Sequence, residues 1–196
     1  MRNLVLLAVL FAPATAVAQS TTTPVFAAPY RAFRTSEIGL SLSDPGAGMA
    51  VEGFYKYGRQ TWDIGFRGGF WDTNAGSTPL LLGVDGRTRV LTHSADFPLD
   101  GALTVGLGAI LSDGANLVHV PVGLSLGRRV DLEGSDVSFV PYFQPVLGLA
   151  LSSGNSDFLF GVGLGADVRV NSQLDLRVSG GLGDYEGVSI SLAWLR

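Results

Sequence analysis

Between Phe158 and Asn171 every second residue is apolar without a break. Phe158, Phe160, Val162, Leu164, Ala166, Val168 and Val170 alternate with Leu159, Gly161, Gly163, Gly165, Asp167, Arg169 and Asn171. A period of two separates these sets onto the two faces of a strand, which a helix cannot do. The run is also long. Strands in soluble sheets usually have ~5–6 residues, whereas a tilted strand crossing a bilayer needs about 9–11. One face is too apolar for water, and the other is too small and too charged for an ordinary sheet core. Lipid on one side and a crowded interior on the other suit both faces.

The alternation repeats from about Thr35 onward and predicts strands near 35–43, 48–57, 60–71, 79–92, 100–112, 116–128, 136–151, 157–171, 173–183 and 186–196. Outward faces would carry Trp62, Ile64, Phe66 and Phe70 on the third strand, and Leu103, Val105, Leu107, Ala109 and Leu111 on the fifth. Val118, Val120, Val122, Leu124 and Leu126 do the same on the sixth, and Val188, Ile190, Leu192 and Trp194 on the last. Short turn-forming stretches such as Ser43-Asp44-Pro45-Gly46, Ser112-Asp113-Gly114 and Ser153-Gly154-Asn155 separate the runs, so neighbours should be antiparallel. In hydrocarbon an unpaired backbone amide costs several kcal/mol, so such a sheet must close on itself. The expected fold is an all-β, closed, up-and-down antiparallel transmembrane β-barrel of about ten strands. Eight is the alternative, because 72–78 and 128–136 are loose and Gly86 interrupts the fourth run.

The amino terminus reads as an export signal: Arg2, an apolar stretch from Leu4 to Phe11, and the small residues Ala16-Val17-Ala18 before a mature start near Gln19. The apolar stretch is shorter than the ~20 residues of a spanning helix. The domains are therefore a signal peptide over 1–18, an exported linker over 19–34 and the barrel over 35–196. There is no cysteine, which excludes disulfides, thiolate metal sites and a lipid-anchoring cysteine. A net charge of −4 argues against a nucleic-acid partner. Twenty-seven glycines in 196 residues are about twice the ~7% average.

On this register the inward positions include Glu37, Glu52, Asp63, Asp85, Asp167 and Asp175 together with Lys56, Arg67, Arg87, Arg89, Arg169 and Arg177. The signs balance, and pairing across a narrow lumen would recover much of the several kcal/mol that burying each ion costs. These twelve residues are the candidate site, read as a structural charge network filling the lumen. Inward glycines such as Gly106, Gly108, Gly161, Gly163 and Gly165 relieve crowding, allow curvature or leave room for water. Tyr55, Tyr57, Trp62, Phe70, Trp71, Tyr142, Phe158, Tyr185 and Trp194 lie toward strand ends. Outward members suit the headgroup level, and inward Tyr142 and Trp71 suit the core.

Little else in the sequence carries chemistry. His93 falls in a turn beside Ser94, and His119 falls on the inward face of the sixth strand near Ser125 with no carboxylate close in sequence. Neither builds a convincing triad or metal site. Gly161-Val162-Gly163-Leu164-Gly165 lies inside a strand rather than between a strand and a helix, so it is no nucleotide loop. The expectation is a protein that is not an enzyme and needs no cofactor or metal.

The signal, the alternating strands, and stretches such as Asp96-Phe97-Pro98-Leu99-Asp100 and Val140-Pro141-Tyr142-Phe143-Gln144-Pro145 resemble the outer-membrane β-barrel domain families of Gram-negative bacteria, with the small-barrel architecture of the OmpA, OmpX and OmpW type. The resemblance covers most of the chain after the signal. It implies residence in the outer membrane, lipid as the surroundings, and periplasmic chaperones and the barrel-assembly machinery as partners during biogenesis. The expected role is structural, interactive or envelope-maintaining, with a polar lumen filled by side chains. A small porin-like diffusion channel is one alternative. The other is a soluble periplasmic lipocalin-like barrel that binds an apolar ligand inside.

Overall fold

In the computed structural model, residues 20–29, 35–113, 115–135 and 137–196 are described. The proposed signal peptide, with Gln19 and residues 30–34 of the expected linker, lies outside them. The strands, in chain order, are β1 (Glu37–Asp44), β2 (Gly48–Arg59), β3 (Trp62–Thr73), β4 (Leu80–Leu91), β5 (Asp100–Ser112), β6 (Ala115–Gly127), β7 (Val130–Asp131), β8 (Ser138–Ser152), β9 (Asn155–Asn171), β10 (Leu174–Gly183) and β11 (Gly187–Leu195). No helix occurs among the described residues.

Each long strand pairs antiparallel with its neighbours. β1 pairs β11 from Glu37↔Leu195 to Asp44↔Val188, and β6 pairs β8 from Leu117↔Ser152 to Gly127↔Tyr142. These ladders close a ring of ten strands, so each strand of the ring has a partner on both sides, as a hydrocarbon environment requires. The eight-strand alternative is thereby removed. Gly86 does not break β4, which pairs continuously with β3 from Trp62↔Thr88 to Phe70↔Leu80. The period-two pattern did not reveal β7, a two-residue strand that pairs with Phe139 and Ser138 outside the ring.

The start of β1 and the end of β11 meet one rim, called proximal, which also carries the connections 60–61, 92–99, 128–137 and 172–173. The distal rim carries 45–47, 74–79, 113–114, 153–154 and 184–186.

The two faces of the wall follow the alternation. Leu107, Phe66 and Leu147 stand 50, 57 and 62% exposed on the outside, whereas Ala50, Leu81, Ala102 and Val140 on the inside are buried. The inner face also buries Glu37, Glu52, Asp63, His119, Gln144 and Asp175. The soluble, ligand-binding alternative required aliphatic residues to line the interior. They cover the outer wall instead, where about 25 cal/mol per Å² of apolar area favours removal from water.

Residues 20–29 occupy the lumen. Ser20, Thr21, Thr22, Thr23, Val25, Phe26 and Ala28 are all buried, although the sequence placed this stretch in a linker ahead of the barrel. Pro29 lies near Gly127 at the proximal rim, and Pro24 reaches Gly187 near the distal rim. The chain turns back at Thr22 (φ 65°), bringing Ser20 against Gly83, Gly106 and Gly108.

Candidate functional site in the barrel lumen

The charged side chains named from the sequence gather in the proximal and middle parts of the lumen. On β3 and β4, Asp63 and Arg87 are direct cross-strand partners. The guanidinium grips the carboxylate through Nε at 3.0 Å and Nη2 at 2.6 Å. Lys56 Nζ donates to Asp85 at 2.6 Å, and Arg67 Nη1 donates to Glu52 at 3.3 Å. Arg169 bonds Asp175 through Nε at 2.8 Å and Nη2 at 3.2 Å.

Arg177 is the hub. Its Nη1 and Nη2 donate to the two oxygens of Glu37 at 2.7 and 2.5 Å. Its Nε lies 3.4 Å from Asp167 and its Nη2 3.4 Å from Asp175. Bidentate geometry of this kind suits the planar guanidinium fork and not a lysine. Arg67 and Arg177 also lie over the ring of Phe54, at 5.7 and 6.0 Å from its centroid. Gly39 makes that ring possible, because a Cβ there would strike it. Arg89 donates through Nη2 to the Gln60 carbonyl at the proximal rim.

The distal part is built differently. Ala50, Leu81 and Ile110 form a small apolar cluster backed by Trp71 and Leu117. The β10–β11 turn also folds inward. Tyr185, which the sequence grouped with the strand-end aromatics, is fully buried and packs with Phe26, Ala28, Val140, Tyr142 and Val146. Burial raises the Tyr185 hydroxyl pKa, and nearby Asp184 adds to the shift, so the phenol stays protonated and able to donate. Its oxygen lies 3.2 Å from His119 Nε2. Gly148, Gly161 and Gly181 provide the room, since a Cβ at any of them would overlap Tyr185.

Residues 20–29 fill the space left between these two groups. Ser179 Oγ and Ser189 Oγ donate to the Pro24 carbonyl at 2.7 and 3.0 Å, and Phe26 N donates to Ser179 Oγ at 3.1 Å. Ser125 Oγ donates to the Ala27 carbonyl at 2.7 Å, and Arg87 Nη1 donates to the Ala28 carbonyl at 2.6 Å. Thr23 Oγ1 donates to Glu52 at 2.6 Å. Phe26 sits against Gly163, where any side chain would collide with its ring. Inner-wall glycines such as Gly108, Gly148, Gly161 and Gly163 thus serve close packing. A cavity of ≈ 30 Å³ remains beside this segment, lined in part by Phe26, Phe54, Arg67 and Thr104, which is room for about one or two waters.

Of the two histidines, His119 meets the Tyr185 hydroxyl. His93 makes a pair the sequence reading passed over. Its Nδ1 lies 3.0 Å from Asp100 Oδ2, and its backbone N–H donates to Asp100 Oδ1 at 3.0 Å. The pair closes the 92–99 connection, and the seven-residue spacing across one loop was the available signal. Among the described residues, no three His, Asp or Glu side chains converge as metal ligands.

No family model matches the sequence, and no curated protein matches it. Solved structures do resemble the fold. The β domain of the Bordetella autotransporter Brka superposes with a TM-score of 0.53 at 13% identity, covering 82% of this chain and 98% of that one. The fold is that of a transmembrane β-barrel. A bacterial polysaccharide outer membrane secretin gives 0.49 at 12% identity, covering 83% of this chain and 66% of its own, so this chain spans just under two thirds of that one. A de novo designed transmembrane β-barrel gives 0.41 at 18% identity, with 83 and 95% covered.

Proposed function

We propose that the protein is an integral outer-membrane β-barrel, delivered by a cleavable signal, whose lumen is closed and whose role is structural, interactive or envelope-maintaining rather than diffusive. The observation that carries the reading is the placement of residues 20–29 inside the ring, with Phe26 and Tyr185 buried within it. An outer wall of exposed aliphatic residues and complete strand pairing support the membrane setting, because they meet what hydrocarbon demands of a spanning sheet. Trp62, Tyr55 and Trp194, outward near the proximal rim and 40–44% exposed, suit the headgroup level. The small-barrel family resemblance belongs to this proposal too.

Expression of the full-length chain followed by envelope fractionation tests it. The protein should appear in the outer-membrane fraction, migrate differently on gels with and without boiling, and stay electrically silent in planar bilayers. Discrete conductance steps from the intact protein would replace this reading with the diffusion channel, and a periplasmic protein soluble without detergent would remove the membrane setting.

A further inference from the structure

We infer that the lumen is a peptide-binding site, occupied in this chain by residues 20–29, and that a separate uncharged peptide bearing one aromatic side chain can take their place. The inference rests on the closed-barrel reading and deepens it.

The manner of holding points to binding rather than to folding alone. Residues 20–29 belong to no strand and no ladder of the sheet. Side chains of the wall read their backbone instead: Ser179 and Ser189 at the Pro24 carbonyl, Ser179 at the Phe26 amide, Ser125 at the Ala27 carbonyl and Arg87 at the Ala28 carbonyl. Contacts to main-chain groups accept many sequences, as they do where proteins bind extended peptides.

Specificity then falls on the side chains that enter shaped space. Phe26 is the one aromatic residue of the segment and is 2% exposed. It fills the notch that Gly163 and Gly181 leave in β9 and β10. The segment itself, Ser20-Thr21-Thr22-Thr23-Pro24-Val25-Phe26-Ala27-Ala28-Pro29, carries no charge. That fits a lumen whose acids and bases pair largely with one another. A charged peptide would enter that network without a partner and bear the desolvation cost.

The test uses the chain lacking residues 20–29, reconstituted in vesicles and planar bilayers, and a synthetic peptide of the same ten residues. The shortened barrel should conduct in discrete steps where the intact protein is silent. The added peptide should abolish those steps, and a labelled peptide should bind saturably to the shortened barrel but not to the intact one. A peptide with alanine at the Phe26 position should lose most of that binding. If the shortened barrel is heat-modifiable yet neither conducts nor binds, the peptide site is overturned while the closed-barrel reading stands. If the intact protein conducts, the closed-barrel reading fails first. Equal binding of the alanine peptide also overturns the inference. Should the shortened chain not reach the heat-modifiable form alone, refolding it with the peptide should restore that form, and failure to do so counts against the site.

Discussion

The two ends of the lumen solve the same packing problem by opposite means. Near the proximal rim, charged side chains from β1, β2, β3, β4, β9 and β10 neutralise one another across the ring. Toward the distal rim the space is taken by Leu81, Ile110 and an inward-folded Tyr185. Charge pairs fix geometry because each partner is costly to leave alone. Apolar packing fills volume and tolerates small rearrangements. The difference teaches that the polar inner face of a barrel is not uniform, and that ion pairs concentrate where many strands present charge at one height.

That contrast can be broken at the hub. Arg177→Met leaves Glu37, Asp167 and Asp175 without their shared cation and should destabilise the barrel by about 3–5 kcal/mol. The check is urea unfolding in detergent, followed by loss of heat-modifiable migration. Pairing the change with Glu37→Gln should return part of the loss, and a double variant no better than the single would deny the coupling.

A distal counterpart is Leu81→Ala, which opens a cavity in the small apolar cluster. It should cost about 2–4 kcal/mol by the same assay, with no rescue from changes among the charged residues. A smaller effect is expected of Tyr185→Phe, which removes the hydroxyl facing His119 while keeping the ring. A loss of about 1 kcal/mol is expected, together with a shift of the His119 ring signals in NMR. A loss several times larger would mean that the inward turn hangs on that single bond.

The smallest change should come from Arg129→Ala, at the proximal edge. Arg129 pairs with Asp131 at 2.6 Å, but the two side chains are 48 and 65% exposed. Such a pair contributes at most about 1 kcal/mol, so the urea midpoint should stay within error of the parent. A clear drop there would erase the distinction between buried and surface ion pairs on which the comparison depends.

Much of the wall was legible in the sequence because lipid and lumen impose opposite demands on alternate residues. The fifth strand, expected over 100–112, is found at Asp100–Ser112, and Glu37, Arg67 and Asp175 lie inward as the register required. Which acid meets which base was not legible, since Arg177 and Glu37 are 140 positions apart and meet through ring closure. Residues 20–29 were invisible for another reason. They have no period, and their burial depends on glycines such as Gly108 and Gly163, whose missing side chains look the same in sequence whether they admit water, curvature or another segment. Tyr185 was hidden likewise, because a turn residue reads as exposed until its turn is seen to fold inward.

Residues 20–29 precede β1 in the chain, yet the serines that hold Pro24 lie 155 and 165 positions later. This stretch is made before any strand, but its seat comes into being once β10 and β11 have been added and β11 has met β1. Contacts of such long separation form slowly. Occupancy of the lumen is therefore a late event that reports on every earlier one. A ring with a missing or misregistered strand would offer the waiting segment no place to dock, and the finished particle would differ from a faulty one in whether residues 20–29 are tucked away.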